Sequence, residues 1–272
     1  MPFSQFELPY GRTESFVFEL ETDRVMASLL PPKSLTDVAA AAREALQSPI
    51  DLPPLSQALV TGDKVVLCVD RSTPQVPQLI AAVWAELDRS GIAAEDVLIL
   101  HAAGLKGATP GDPRGQLPRE VAQKIQWKKH DPGPEEACAY LATTASGERI
   151  YLASEVVHAD FVMCLGAIGF DPLLGYRGTL SCLYPGLSTT EAMRRMWGGG
   201  HVELEPHDPR PLREIIEEIG WLLGTQYHLQ VLPGPRGGVA HVFAGAGDAV
   251  LKQGKQCLDD EWKLNLSTRP EL

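Results

Sequence analysis

The sequence predicts an α/β fold, a layered sheet of mainly parallel strands covered by helices on both faces. Three observations carry this expectation. VVLCV at 65–69 and the cores of DVLILHAAG at 96–104 and ADFVMCLGAIG at 159–169 are continuous apolar runs, the pattern of strands buried on both sides. Helical amphipathic stretches alternate with them, as in a chain that crosses over between parallel strands. Polar segments follow the strands at 70–74, 104–118 and 169–188, where a parallel sheet presents its carboxyl edge and its ligand sites.

The elements follow in order. Residues 1–22 read as a strand pair, with FVFEL the stronger piece. Residues 35–47 read as a helix with Ser34 or Thr36 near its start. The strand at 65–69 leads through Asp-Arg-Ser-Thr into a helix at 76–89, and 96–104 gives the next strand. The Gly/Pro-rich segment 104–118 is a long loop, a length that is uncommon and often functional. A short helix and strand cover 119–130, a strand leads into a turn over 148–156, and 159–169 is a further buried strand. Residues 169–188 read as a second long irregular segment. A helix runs from near Thr189 to Trp197, 198–211 is a loop, and PLREIIEEIGWLLG is an amphipathic helix with Pro211 in its first turn. YHLQVL and VAHVFAG are late strands, and 246–263 is a closing helix.

Composition bounds the function. With 272 residues, no internal repeat and no clear linker, a single domain is expected. The net charge of −11 repels phosphate backbones, so no nucleic-acid partner is expected. The basic group Lys124, Lys128, Lys129 and His130 reads as a solvated helix end. No run of 18 apolar residues is present, so no membrane-spanning helix is expected. The first residues, MPFSQFELPYGRTE, lack a basic region followed by an apolar one, and a cytoplasmic protein is expected. The five cysteines form no CxxC pair, which argues against a disulfide framework or a zinc site, and Cys68 and Cys164 read as core thiols.

Asp70, Arg71, Ser72 and Thr73 stand where a strand ends and a helix begins, the place for a ligand. The plainer expectation for Ser72 or Thr73 is a helix cap. Arg177, with the amides of Gly175 and Gly178, and Arg71 are the groups to hold a small carboxylate or phosphate. His201, Glu203, Glu205 and His207 recur at every second position. They are either metal ligands, with His201 and His207 leading, or a solvated acidic loop. His101 is expected as a satisfied core residue, His228 and His241 as packed, and His130 and His158 as exposed. Trp84 and Trp221 are expected in the core, and Trp197 near a ligand. No P-loop, dinucleotide fingerprint or Ser-His-Asp elbow is present.

LPYG at 8–11, EALQSPID at 44–51, VDRSTPQVP at 69–77, LYPG at 183–186 and VFAGAGDAV at 242–250 fall in one order. Their order and spacing resemble the N-terminal domain of the nickel-pincer lactate racemase family, over essentially the whole of residues 1–272. Members carry a C-terminal domain that closes over the substrate, and this chain resembles a stand-alone N-terminal half. The resemblance implies hydride transfer at a hydroxy acid by a nickel-pincer pyridinium cofactor tethered to a lysine, with two histidines as acid and base.

Position by position, the resemblance records departures. Asp70 and Pro74 match the family's Asp-His-Thr-Arg-Pro turn, Thr73 stands for its arginine, and Arg71 is displaced by two positions. Lys106 and Asp171 stand at the two catalytic histidines. Ser181 stands at or near the tethering lysine, so the tether is absent there. Trp197 falls at the nickel-ligand histidine, which His201 replaces if the glycine run 198–200 is an insertion. Three readings stay open: a divergent hydroxy-acid racemase, a binding or scaffold module, and a metal-binding accessory protein. Their common expectation is a small anionic ligand at the sheet edge. A second copy or a partner chain is expected to cover the cleft.

Overall fold

The computed structural model describes residues 2–10, 13–104, 111–198 and 210–264. The chain opens with a hairpin, β1 (Phe3–Tyr10) and β2 (Glu14–Glu21), paired antiparallel from Phe3–Glu21 to Tyr10–Glu14. Helix α1 (Val38–Gln47) follows, then β3 (Val65–Val69), α2 (Val76–Arg89) and β4 (Val97–His101). Next come α3 (Arg119–Ala122), β5 (Gln126–Lys129), β6 (Cys138–Thr143), β7 (Arg149–Ala153), α4 (Ser154–Val157) and β8 (Phe161–Ala167). The last part holds β9 (Gly169–Asp171), β10 (Gly175–Arg177), α5 (Thr190–Trp197), α6 (Pro211–Leu223), β11 (Tyr227–Pro233), β12 (Val239–Ala246) and α7 (Gly247–Trp262).

Six strands form the central sheet in the order β12-β11-β8-β3-β4-β5. Every neighbouring pair is parallel except β11–β12. The alternation of side chains along each strand sends them to two cores. Val65, Leu67, Val69, Ile99, Leu165, Leu229 and Val231 face α1 and α2. Val66, Cys68, Leu100 and Cys164 face Leu180, Leu183, Tyr184 and Leu187, with Ile216 and Ile219 of α6. Helix α7 packs Val250 and Leu258 on Ile168, Leu232 and Phe243. Helices thus cover both faces, as expected of buried parallel strands. No helix among the described residues is long and apolar enough to cross a membrane.

Several expectations change in detail. The N-cap of α1 is Asp37, whose Oδ1 accepts from the Ala40 amide at 2.8 Å, rather than Ser34 or Thr36; the carboxylate lies nearest the free amides of the first turn. Residues 169–188 are not irregular throughout. They hold the β9–β10 hairpin and a 3-10 turn at Thr179–Cys182. Strand β6 has no counterpart among the sequence expectations and pairs with β7 across a bulge between Tyr140 and Ala142. His130 is buried, its Nε2 2.9 Å from the Ser188 carbonyl oxygen, so the basic group is not a solvated helix end throughout. Trp221 is 81% exposed, whereas Trp84 is in the core as expected.

Candidate functional site

A cleft opens at the carboxyl edge of the sheet. It is built where β3, β4 and β8 end and the segment after β8 folds back over them. Asp70 begins the first wall: its amide donates to the Leu165 carbonyl, and its Oδ1 accepts from the Ser72 amide at 2.8 Å and the Ser72 hydroxyl at 2.6 Å. The Thr73 hydroxyl donates to the Asp70 carbonyl at 2.7 Å. Ser72 and Thr73 therefore lock the turn and do not cap α2, contrary to expectation. That helix starts at Val76 after Gln75, which adopts a left-handed conformation (φ 51°) and makes no side-chain cap bond. The bonds to Asp70 offer these hydroxyls a local alternative to helix capping.

The second wall is the β9–β10 hairpin. Asp171 Oδ1 accepts from the amides of Leu173 and Leu174, each at 2.9 Å, which fixes the turn. Arg177 on β10 lies across Gly169: a Cβ there would stand 3.1 Å from Arg177 Nε. Arg71 lies across Gly104 in the same way, with Nη1 only 2.2 Å from the position of a Cβ. Both glycines thus leave room for a guanidinium. Arg177 Nε is buried without a hydrogen-bond partner.

The third wall is the Thr179–Gly186 stretch. The Gly178 amide donates to Ser181 Oγ at 3.0 Å, so this amide is not free for a ligand as expected. Gln230, fully buried on β11, ties the wall to the sheet: Oε1 accepts from the Thr179 amide at 2.8 Å and Nε2 donates to the Cys164 carbonyl at 3.1 Å. The Ala103 amide donates to the Gly186 carbonyl at 2.8 Å, closing the wall on the end of β4.

The lining brings together Asp70, Arg71, Ser72, Asp171, Arg177, Ser181 and Trp197. Thr73 is buried behind the turn rather than on the lining. Lys106, His201 and His207 lie outside the described residues. Leu212 and Ile216 of α6, with Tyr184, complete the wall; the two α6 positions read as the apolar face of a helix, and only packing brings them to the cleft. Gln230 was not singled out; the signal that could have found it is its amide side chain within the strand-like YHLQVL.

A buried thiol and a buried imidazole near the strand ends favour their neutral forms. The Cys182 and Cys68 sulfurs, then burial, hold the Cys164 thiol well above its ordinary value. Cys68 and Cys164 are core thiols, as expected. Burial lowers His101. That ring is buried, packs edge-on to Trp127 at 5.9 Å, and has neither nitrogen hydrogen-bonded, so it is a core histidine but not a satisfied one. The cleft can hold a small polar molecule between two guanidinium groups and two turn-bound aspartates.

The profile of the lactate racemase N-terminal domain family matches residues 10–199. None of the curated proteins gives a significant match. Among solved structures, the lactate racemase apoprotein from Thermoanaerobacterium thermosaccharolyticum shares the fold with a TM-score of 0.73 at 18% identity, over 95% of this chain and 63% of that one. A protein from Thermotoga maritima aligns with a TM-score of 0.63 at 14% identity, over 86% of this chain and 61% of that one. The chain therefore spans less than two thirds of either.

Proposed function

The chain belongs to the lactate racemase N-terminal domain family, and from that membership we propose that it is a divergent member whose cleft binds a small anionic molecule, a hydroxy acid or phosphate. The observation that carries this reading is the pair of arginines. Arg71 and Arg177 line one cleft, neither makes an ion pair among the described residues, and Arg177 Nε is buried without an acceptor. A guanidinium left without an acceptor is matched by a carboxylate or phosphate, which accepts two parallel N–H bonds.

The family's chemistry implies a lysine-tethered nickel-pincer group, and the described residues do not fit it. By the resemblance Ser181 falls at or near the tether position, and its Oγ accepts from the Gly178 amide. No histidine is among the described lining residues. A hydroxyl cannot form the amine-derived link. Similarity of fold does not carry the reaction when these side chains differ. Leu173, Leu174, Leu212 and Ile216 on the lining favour a covering surface, supplied by a second copy or a partner chain.

The test is calorimetric titration with L-lactate, D-lactate and inorganic phosphate, alongside a racemization assay on both lactates. At least one anion binds the wild type. Arg177→Ala weakens that binding about 10–100-fold, the loss of a hydrogen bond to a charged group worth roughly 1.5–3 kcal/mol. Equal affinity in the variant, or no binding of any anion, overturns the reading. Interconversion of the lactates by the chain alone overturns the divergence.

A further inference from the structure

A second group of chemically able side chains lies away from the cleft, between the edge strand β12 and the last helix. His241 projects from β12, while Cys257 and Glu261 stand one turn apart on α7. Their ligand atoms all lie within 4.8 Å of one another. His241 Nε2 is 2.6 Å from Glu261 Oε1, and Cys257 Sγ is 4.0 Å from that same oxygen. This contact accounts for one carboxylate oxygen only. Glu261 Oε2 is buried with no hydrogen-bond partner among the described residues, an unfavourable condition that a bound cation removes.

We propose that His241, Cys257 and Glu261 form a three-ligand site for a divalent transition ion of the zinc class. The donor set selects the ion. Sulfur and imidazole suit zinc and its neighbours, whereas calcium and magnesium require oxygen ligands. Bonds of about 2.0–2.3 Å in a tetrahedron place ligand atoms roughly 3.3–3.7 Å apart, and the present spacings of 2.6 and 4.0 Å bracket that range. The side chains of His241 and Glu261 are 42% and 28% exposed, so small rotations suffice and the fourth position is left to water. On binding, the Cys257 thiol releases its proton to solvent, neutral His241 gives a lone pair, and Glu261 binds as carboxylate. A divalent ion with two anionic ligands is then neutral overall, which suits a half-buried place. Such an ion would fasten α7 to β12, the last strand of the sheet order.

The test uses the full chain, stripped with a chelator and titrated with Co²⁺. One equivalent is expected to give a near-ultraviolet thiolate-to-cobalt charge-transfer band with tetrahedral visible bands, both erased by Zn²⁺. Cys257→Ser abolishes the charge-transfer band. Loss of an outer partner of a metal already costs roughly 10–100-fold in affinity, so His241→Ala and Glu261→Gln weaken binding at least tenfold. Zn²⁺ raises the thermal midpoint of the wild type more than that of Glu261→Gln, which keeps the test decisive if Cys257→Ser does not fold. No band with the wild type, a band that survives in Cys257→Ser, or equal Zn²⁺ stabilisation of wild type and Glu261→Gln overturns the proposal.

Discussion

The same strands carry two unlike faces. Toward α1 and α2 they present Val65, Leu67, Val69, Leu229 and Val231, all apolar and buried. Toward the cleft they present Val66, Cys68 and Cys164, joined by His228 and Gln230. The first face meets two regular helices of 10 and 14 residues. The second meets a 3-10 turn and the Leu183–Leu187 segment before it meets α6. Regular helices on an apolar face give close packing and no cavity. Irregular chain on the other face needs buried polar partners for its backbone groups, as Gln230 is for Thr179, and leaves room for a cleft.

The largest test of this difference is on the apolar face. Leu67 is 1% exposed, and Leu67→Ala is expected to lower the stability to urea by about 3 kcal/mol, within the usual range of 2–5 for such truncations. Anion affinity per folded molecule is expected to stay unchanged. A coupled loss of affinity would show that the two faces are not separable.

Acid tests the cleft face. Burial first, then the charge of Arg213, lowers His228 from 6.5 to about 4. The unfolded chain therefore takes up this proton before the native one. The stability that neutral His228 preserves is complete above about pH 6.5 and falls as the pH drops toward 4, by at most about 1.4 kcal/mol per pH unit. Denaturation across that window is expected to show a shallower slope in His228→Gln. An identical slope in the two proteins would assign the titration to another group.

The smallest expected effect on stability is at Gly104. A Cβ there would stand 2.2 Å from Arg71 Nη1, and Arg71 is an exposed, flexible side chain that can move aside. Gly104→Ala is expected to change stability by less than about 1 kcal/mol while lowering anion affinity about tenfold, by displacing a charged hydrogen bond. Unchanged affinity in a titration would remove Arg71 from the ligand site.

The central strands were legible as short continuous apolar runs bounded by turns, and the main helices by their period. VVLCV is apolar at every position, and the stretch at 76–89 repeats at helical spacing. Strand β6 was not legible. CAYLAT is short, half-buried and interrupted by a bulge, so neither period is sustained. Trp221 was misplaced because an apolar helix stripe does not say where the neighbouring elements stop, and its side is open to solvent. Of the cleft, the Asp70 turn and the hairpin arginine were legible as polar residues at strand exits, whereas Leu212 and Ile216 read as the apolar face of an amphipathic helix.

By itself the sequence determined the α/β alternation, the parallel strands and the place of the Asp70 turn at a strand exit. These follow from local periods and from strand–turn–helix order. The tertiary structure alone decided which glycines seat Arg71 and Arg177, that Gln230 braces Thr179, and that His241 faces Cys257 and Glu261. The five cysteines showed no metal spacing along the chain. The β12–α7 packing creates that spacing in space, because contacts between a strand and the helix packed on it depend on the angle and register of the two elements, and neither is written in the order of residues within either one.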